Sequence, residues 1–353
     1  MIIKNIFSLA ASIIKLFILI FIFSTNSKSE DNNIKQYSYD EGVLSIMYHR
    51  FDEPKYPSTN IQMNIFLKHI KLINELNYSF INPVDFQKHF DIPKKQKKIL
   101  LTIDDAFQSF YENAWPYLKK NKIPFVLFVS TEPVGNKGYM TWEQINEIQK
   151  ENFSIIGHHS HSHEYLIDKN DQEFINDIEK ANEIFKKRIG HVPKLFSYPF
   201  GEYSEFMRSY ISKNFDYAFG QHSGVIDLNK EKFQLPRFPI NENYGEINRF
   251  ESIIKTYPLE YKYLIPVEKK LIKKNNPPNF SVEFFENQKN ISNINCYSNE
   301  GDKWDKTIIK FSDNILTLQF REAFKPRRGR INCSLNDKGK WRWFGTQFII
   351  AEN

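Results

Sequence analysis

The sequence predicts an α/β fold: a parallel β/α barrel over residues 40–262, followed by a smaller antiparallel β-sandwich over 279–353. Three observations predict it. Up to about residue 261, apolar runs of strand length alternate with amphipathic helical stretches, the pattern of a parallel sheet wound with helices. Beyond a lysine-rich break at 263–278, closed by Asn275-Asn276-Pro277-Pro278, the runs alternate or stay apolar at strand length, with Asn, Asp and Gly turns between them. In the first region, Ile99-Leu100-Leu101-Thr102-Ile103 reads as a buried strand ending in two adjacent carboxylates, Asp104 and Asp105. Strand ends of this kind are where β/α barrels keep their chemistry.

Lys4, an apolar stretch at 13–23 interrupted by Lys15, and then Ser24-Thr25-Asn26-Ser27 read as a secretory signal over 1–27. The unbroken apolar part, 16–23, is too short to cross a hydrocarbon core of roughly 30 Å, so export with cleavage is expected, to the periplasm or the extracellular space. Left uncleaved, the same segment would be an N-terminal anchor and the chain's one attachment to a membrane. It contains no cysteine, which excludes a lipoprotein anchor. Val43-Leu44-Ser45-Ile46-Met47-Tyr48-His49 is an apolar, strand-like run that ends in histidine. Residues 66–76 are amphipathic, 125–129 form a buried strand, and 171–189 a long amphipathic helix that stops before Gly190. Thr141-Trp142-Glu143-Gln144 has the form of a capping box, with Trp142 at a helix start. In the C-terminal region the strand-like runs are 280–285, 307–311, 315–320, 329–334 and 341–350.

The formal net charge is +6, but the 48 Lys and Arg are scattered among 42 Asp and Glu, and this mild balance suggests no nucleic-acid partner. The 2 cysteines, Cys296 and Cys333, both fall in the C-terminal region. An even pair within one small domain of an exported protein reads as a disulfide tying two strands together. Trp304, Trp341 and Trp343 lie in the same region, where they either bind carbohydrate or brace the barrel.

Side chains of adjacent residues on an ideal strand point to opposite faces, so Asp104 and Asp105 converge on one site only if the strand ends near Ile103. A histidine cluster follows, His158-His159-Ser160-His161-Ser162-His163. On a helical turn His159 and His163 stack on one face and grip one ion together. His158 and His161 form a competing pair, and spacing alone does not choose between them. Two imidazoles and one carboxylate leave a zinc ion an open position for water, a catalytic rather than a structural ligand count.

Three segments resemble a known family. Thr102-Ile103-Asp104-Asp105-Ala106 is similar to the T-[FI]-D-D-[GA] motif of the polysaccharide deacetylases, the NodB-homology domain of carbohydrate esterase family 4. Residues 156–166 resemble that family's I-G-x-H-[ST]-x-x-H-x-x-L, whose frame selects His159 and His163, and Tyr198-Pro199-Phe200-Gly201 resembles its R-x-P-[YF]-G. The resemblance covers roughly residues 40–262 and implies an incomplete (β/α)7 barrel. It further implies that Asp105, His159 and His163 hold a divalent metal, with zinc the expected ion, and that Asp104 is the general base. The backbone N–H of Phe200 becomes an oxyanion donor, with Tyr198, Pro199 and Gly201 along the substrate edge. Trp142 then has two readings, a sugar platform at the barrel rim or a packing residue.

The chain departs from the family pattern twice. No L-x-H strand carrying the proton donor is found between residues 205 and 262, and the candidate acid is instead His49, with His222 in reserve. In a closed barrel the first and last strands are neighbours, so a strand moved to the start of the chain preserves the site. This permuted order, and Tyr198 to Tyr203 as Y-P-F-G-E-Y, resemble the poly-β-1,6-N-acetylglucosamine deacetylases. Ser197 stands where the family places an arginine that holds the base, and Arg237 is the candidate to supply that charge from another strand end. The implied function is metal-dependent hydrolysis of N-acetyl groups of an N-acetylated polysaccharide, an exopolysaccharide or envelope glycan. The alternatives are an O-acetyl esterase on the same scaffold and a non-catalytic glycan-binding protein.

Overall fold

A computed structural model describes residues 42–91, 97–227, 231–286, 288, 290–301 and 303–351. The expected secretory signal at 1–27 lies outside the described residues. No helix among the described residues is long and apolar enough to cross a membrane.

The barrel strands are β1 (Gly42–Tyr48), β2 (Lys98–Asp104), β3 (Phe125–Val129), β4 (Ser154–His158), β5 (Leu195–Ser197), β6 (Tyr217–Phe219) and β7 (Phe238–Pro239). β1 to β6 pair in parallel in chain order, forming most of a curled 9-stranded sheet. Residues 235–239 carry that sheet back to its start, since Leu235 bridges Phe219 of β6 and β7 runs parallel to β1. Parallel strands are covered on both faces, which is why they read as near-continuous apolar runs. Ile99, Leu101 and Ile103 of β2 face a core shared with the helices, while Leu100 packs with Val126, Phe128 and Phe219 in a separate cluster. Alternation then sends Thr102 and Asp104 to the same side as Leu100, towards the barrel axis. Tyr48 pairs with Ile103, so His49 follows one step beyond, level with the carboxylate pair.

Helices α1 (Met63–Glu75), α2 (Trp115–Asn121), α3 (Trp142–Gln149), α4 (Asp171–Ile189), α5 (Glu205–Asn214) and α6 (Ile247–Ile254) lie between these strands or after them in the chain. The capping box at Thr141 and Gln144 starts α3, and a second, Asn170 with Glu173, starts α4. Each satisfies backbone donors that a helix start leaves unpaired.

The C-terminal strands form two sheets. Tyr263–Ile265, Phe280–Glu283, Ile315–Gln319 and Ile308–Ser312 make a 4-stranded antiparallel sheet. The other has 6 strands, built on β8 (Asn295–Ser298), β9 (Arg328–Asp337) and β10 (Lys340–Ile350). Phe280, Val282, Leu316 and Leu318 of the first sheet share a buried cluster with Cys296, Ile331, Leu335, Phe344 and Phe348 of the second. The second sheet is mixed rather than wholly antiparallel, because Tyr257–Pro258 and Lys270–Leu271 run parallel to β10. The stretch expected as a linker, 263–278, therefore contributes a strand to each sheet. β10 is 11 residues long, and its edge away from β9 presents backbone groups that these short segments pair.

β10 also lies against the barrel. Trp343 meets Phe238 of β7 edge to face at 5.9 Å, and a Cβ on Gly345 would sit 2.2 Å from the Ser223 carbonyl oxygen. Trp343 is thus a bracing residue, whereas Trp304 and Trp341 are exposed. Cys296 and Cys333 are directly paired residues of β8 and β9 and form a disulfide across a sequence separation of 37. Replacing both with alanine is expected to lower the unfolding free energy by about 2–4 kcal/mol. Urea unfolding of the oxidised protein and the double variant measures the difference, and equal midpoints would refute a stabilising role.

Candidate active site

Asp104 ends β2, and neither it nor Arg237 has solvent-exposed side-chain surface. Arg237, one residue before β7, grips the carboxylate with both terminal nitrogens, Nη1 to Oδ1 at 2.7 Å and Nη2 to Oδ2 at 2.8 Å. The rest of its donor fork is used as well. Nε donates to the Gly220 carbonyl at 2.9 Å, Nη1 to Thr102 Oγ1 at 3.2 Å and Nη2 to Ser197 Oγ at 2.8 Å. Ser197, in the place of the family's arginine, thus takes part through a hydroxyl that bridges Arg237 and Asp104. Burial by itself would raise the Asp104 pKa, but Arg237, His159 and His49 together hold it below the ordinary value.

Asp105, His159 and His163 bring one ligand atom each within 4.8 Å of one another. Asp105 Oδ1 lies 3.3 Å from His159 Nε2 and 3.1 Å from His163 Nε2. His159 Nδ1 is 2.7 Å from the Ser197 carbonyl, an acceptor only, so Nδ1 donates that bond and Nε2 is left facing the carboxylate. Both Asp105 Oδ1 and His159 Nε2 are buried without a hydrogen-bond partner. Unpaired acceptors of this kind, converging on one point, fit a divalent cation. Burial pulls the His163 pKa down, but the Asp105 carboxylate outweighs it and raises the imidazole above its ordinary value.

The two histidines do not sit on a helical turn, as their spacing predicted. β4 ends at His158, and the chain passes through left-handed conformations at Ser160 (φ 71°) and His163 (φ 55°). Asp177 of α4 holds this loop, its carboxylate accepting the backbone N–H of His161 at 2.8 Å and of Ser162 at 3.0 Å. Asp105 is left-handed too, at φ 74°, and that kink turns its side chain to the site occupied by Asp104. Such backbone conformations cost of order 1–3 kcal/mol each and persist where the surroundings over-determine them. His158 and His161 fall outside the cluster. His158 packs among Phe185, Phe196 and Phe215, with burial lowering its pKa to about 3, and His161 pairs with Thr131.

His49 lies within electrostatic reach of Asp105, Asp104, Arg237 and His159, and burial lowers its pKa against the pull of the two aspartates. His222 accepts the Arg237 backbone N–H on its carbonyl at 3.0 Å. It lines a cavity of about 330 Å³ with Lys269 and Trp343, and burial lowers its pKa to about 3. Pro199 begins a short 3-10 turn that holds Phe200 at φ 58° and Gly201 at φ 69°, where a Cβ would meet the Gln221 backbone nitrogen at 2.4 Å. The Phe200 ring lies edge-on to His163 at 4.7 Å and stacks on Tyr165 at 4.2 Å. Tyr198, expected along the substrate edge, is fully buried, and its hydroxyl donates to the Phe233 carbonyl at 3.1 Å. With Ser197 turned inward to Asp104, alternation sends Tyr198 outward under the helices. Trp142 packs edge-on to Phe185 of α4 at 6.0 Å.

Sequence reasoning missed a second wall of the site. Arg50 lies 3.4 Å over the Phe107 ring and 4.1 Å over Tyr56, and Tyr139, beside Phe107, is within electrostatic reach of Asp105. Asp177 was missed too, because its role depends on a loop 15 and 16 residues upstream. The one available signal was Arg50 directly following His49.

A buried carboxylate clamped by arginine, beside an unpaired carboxylate-imidazole cluster at the mouth of a parallel sheet, defines a candidate hydrolytic metal site. Residues 91–219 match the polysaccharide deacetylase family model. It is 22% identical over 263 residues to the poly-beta-1,6-N-acetyl-D-glucosamine N-deacetylase of Staphylococcus aureus (strain MSSA476), covering 65% of this chain and 88% of that protein. Two solved structures share the fold. IcaB from Ammonifex degensii aligns with TM-score 0.53 at 22% identity over 61% of this chain and 97% of that one. The Streptococcus pyogenes deacetylase PplD, in complex with acetate, aligns with TM-score 0.54 at 19% identity over 60% and 98%.

Replacing Arg237 by Met leaves a buried carboxylate uncompensated, and the expected loss of stability is about 3–5 kcal/mol. Asp104→Asn in the same chain is expected to recover part of it. Urea unfolding of the four proteins of this cycle reads the coupling, and additive losses would show that the two groups do not act as a pair.

Proposed function

We propose that the chain is an exported, metal-dependent polysaccharide N-deacetylase that hydrolyses N-acetyl groups of a poly-N-acetylglucosamine-type exopolysaccharide or another envelope glycan. The observation that carries this reading is the convergence of Asp105, His159 and His163 beside an Asp104 held by Arg237. The resemblance to a named poly-beta-1,6-N-acetyl-D-glucosamine N-deacetylase supports the substrate class. In this reading residues 40–262 hold the chemistry, and 279–353 brace it. An ion set of two imidazoles and one carboxylate suits zinc.

Bound there, the ion would polarise the acetyl carbonyl and bring a water's pKa towards neutrality. Asp104 takes that water's proton as it attacks the carbonyl carbon, and the Arg237 fork keeps the carboxylate ionised and aimed. The backbone N–H of Phe200 donates to the carbonyl oxygen as negative charge builds on it. When the carbon–nitrogen bond breaks, His49 gives a proton to the leaving amine, and acetate and a free amino sugar result. The guanidinium that Arg237 returns to the base supports an intact acid–base site over a decayed, purely glycan-binding one.

Acetate release from β-1,6-linked N-acetylglucosamine oligomers is expected, to be abolished by a chelator and restored by zinc. Asp104→Asn is expected to lower kcat by about 10²–10⁴-fold while the bound metal, measured by elemental analysis, stays at the wild-type level. His163→Ala is expected to lose the metal itself. Unchanged acetate release after chelation, or from Asp104→Asn, would sink the proposal.

A further inference from the structure

The C-terminal sheet reaches the metal cluster through two consecutive arginines. Glu202, the residue after the Phe200–Gly201 turn, is only 2% exposed and is satisfied by both of them. Arg327 donates from Nε at 3.0 Å and from Nη2 at 2.8 Å, and its Nη2 also reaches Asp168 at 2.9 Å. Arg328, the first residue of β9, donates to Glu202 through Nε alone, at 2.8 Å. Gln347 of β10 adds a bond to the Gly201 carbonyl at 3.3 Å. The turn that carries Phe200 is therefore held from below by strands of the C-terminal region.

The two arginines differ in what they leave free. Arg327 places Nε and Nη2 on carboxylates, leaves Nη1 buried away from solvent without a partner, and lies 4.0 Å over the Tyr165 ring. Arg328 lies 5.3 Å over the Phe200 ring, whose edge contact is His163, and its side chain keeps 25% of its surface exposed. Among the described residues no protein acceptor meets the Arg328 terminal nitrogens. Arg330, next on the same face of β9, is within electrostatic reach of Arg328 and of Tyr244, an exposed aromatic of the barrel. The lip beside the metal ligands thus presents a pre-aimed guanidinium with unused donors next to aromatic surface. That chemistry suits a neutral chain rich in hydroxyl and amide-carbonyl acceptors, with the aromatic faces taking the sugar rings.

We propose that Arg328, delivered by the C-terminal sheet, is a substrate-binding residue of the deacetylase site that holds the glycan beyond the reacting sugar and its immediate neighbour. Arg327 is a positioning residue that fixes Glu202 and the turn above it. The inference rests on the deacetylase reading for its substrate, and its test separates the two.

Binding of a β-1,6-linked N-acetylglucosamine pentasaccharide and of the disaccharide is measured by calorimetry in metal-loaded, full-length Asp104→Asn protein, where turnover is suppressed. Arg328→Ala in that background is expected to raise the pentasaccharide Kd by about tenfold, with a smaller change for the disaccharide and an unchanged metal content. Arg328→Lys is expected to recover only part of the affinity, because an ammonium lacks the planar fork. In the active enzyme the same variant is expected to act on KM for the pentasaccharide more than on kcat. A pentasaccharide Kd within twofold of the parent would overturn the inference, as would equal losses on both oligomers that track a fall in Tm. Binding that depends on Arg328 without acetate release by the wild type would remove the deacetylase reading alone. Acetate release with an unaltered pentasaccharide KM in Arg328→Ala would remove this inference alone.

Discussion

A carboxylate at the end of a buried strand is costly to desolvate unless a cation meets it in good geometry. Arg237 meets Asp104 with both terminal nitrogens and spends its remaining donors on Thr102, Ser197 and Gly220. Those partners come from β2, the end of β5 and the residue after β6, so one side chain ties three strand ends to the segment that leads back to β1. The barrel mouth is consequently organised around an ion pair rather than an apolar plug. The positions of Asp105 and His159 follow from it, because Asp105 is the next residue and His159 leans on the Ser197 carbonyl.

The second constraint is backbone shape. Asp105, Ser160, His163 and Phe200 all adopt left-handed conformations without being glycine, and all lie within or beside the ligand cluster. Their strain is offset by local bonds: Asp177 holds the histidine loop, and the two arginines of the C-terminal sheet hold the turn below Phe200 through Glu202. The barrel mouth and the C-terminal sheets are thus one packed unit, with β10 against the barrel and β9 against its lip.

Much of this was legible in the chain. The β2 run is apolar on both faces, so an adjacent carboxylate pair at its end could only be a turn or a site. His159 and His163 were selected by a motif frame rather than by periodicity, and the loop that joins them is not helical. The period argument failed there because a ligand set needs only convergent atoms, and left-handed residues supply that convergence over the same spacing. Motif membership places Tyr198 along the substrate edge, while strand alternation buries it. The stretch at 263–278 looked like a linker because its strands are two or three residues long, below what composition can mark.

The sequence by itself determined the class of fold and the inventory of reactive groups, since periodicity, strand-end carboxylates and histidine spacing are local properties of the chain. Only the tertiary structure decided which groups meet. Arg237 reaches Asp104 across 133 residues, Arg327 reaches Glu202 across 125, and β1 takes its place beside β2 through barrel pairing. Those encounters depend on register and ring closure, which no local pattern encodes.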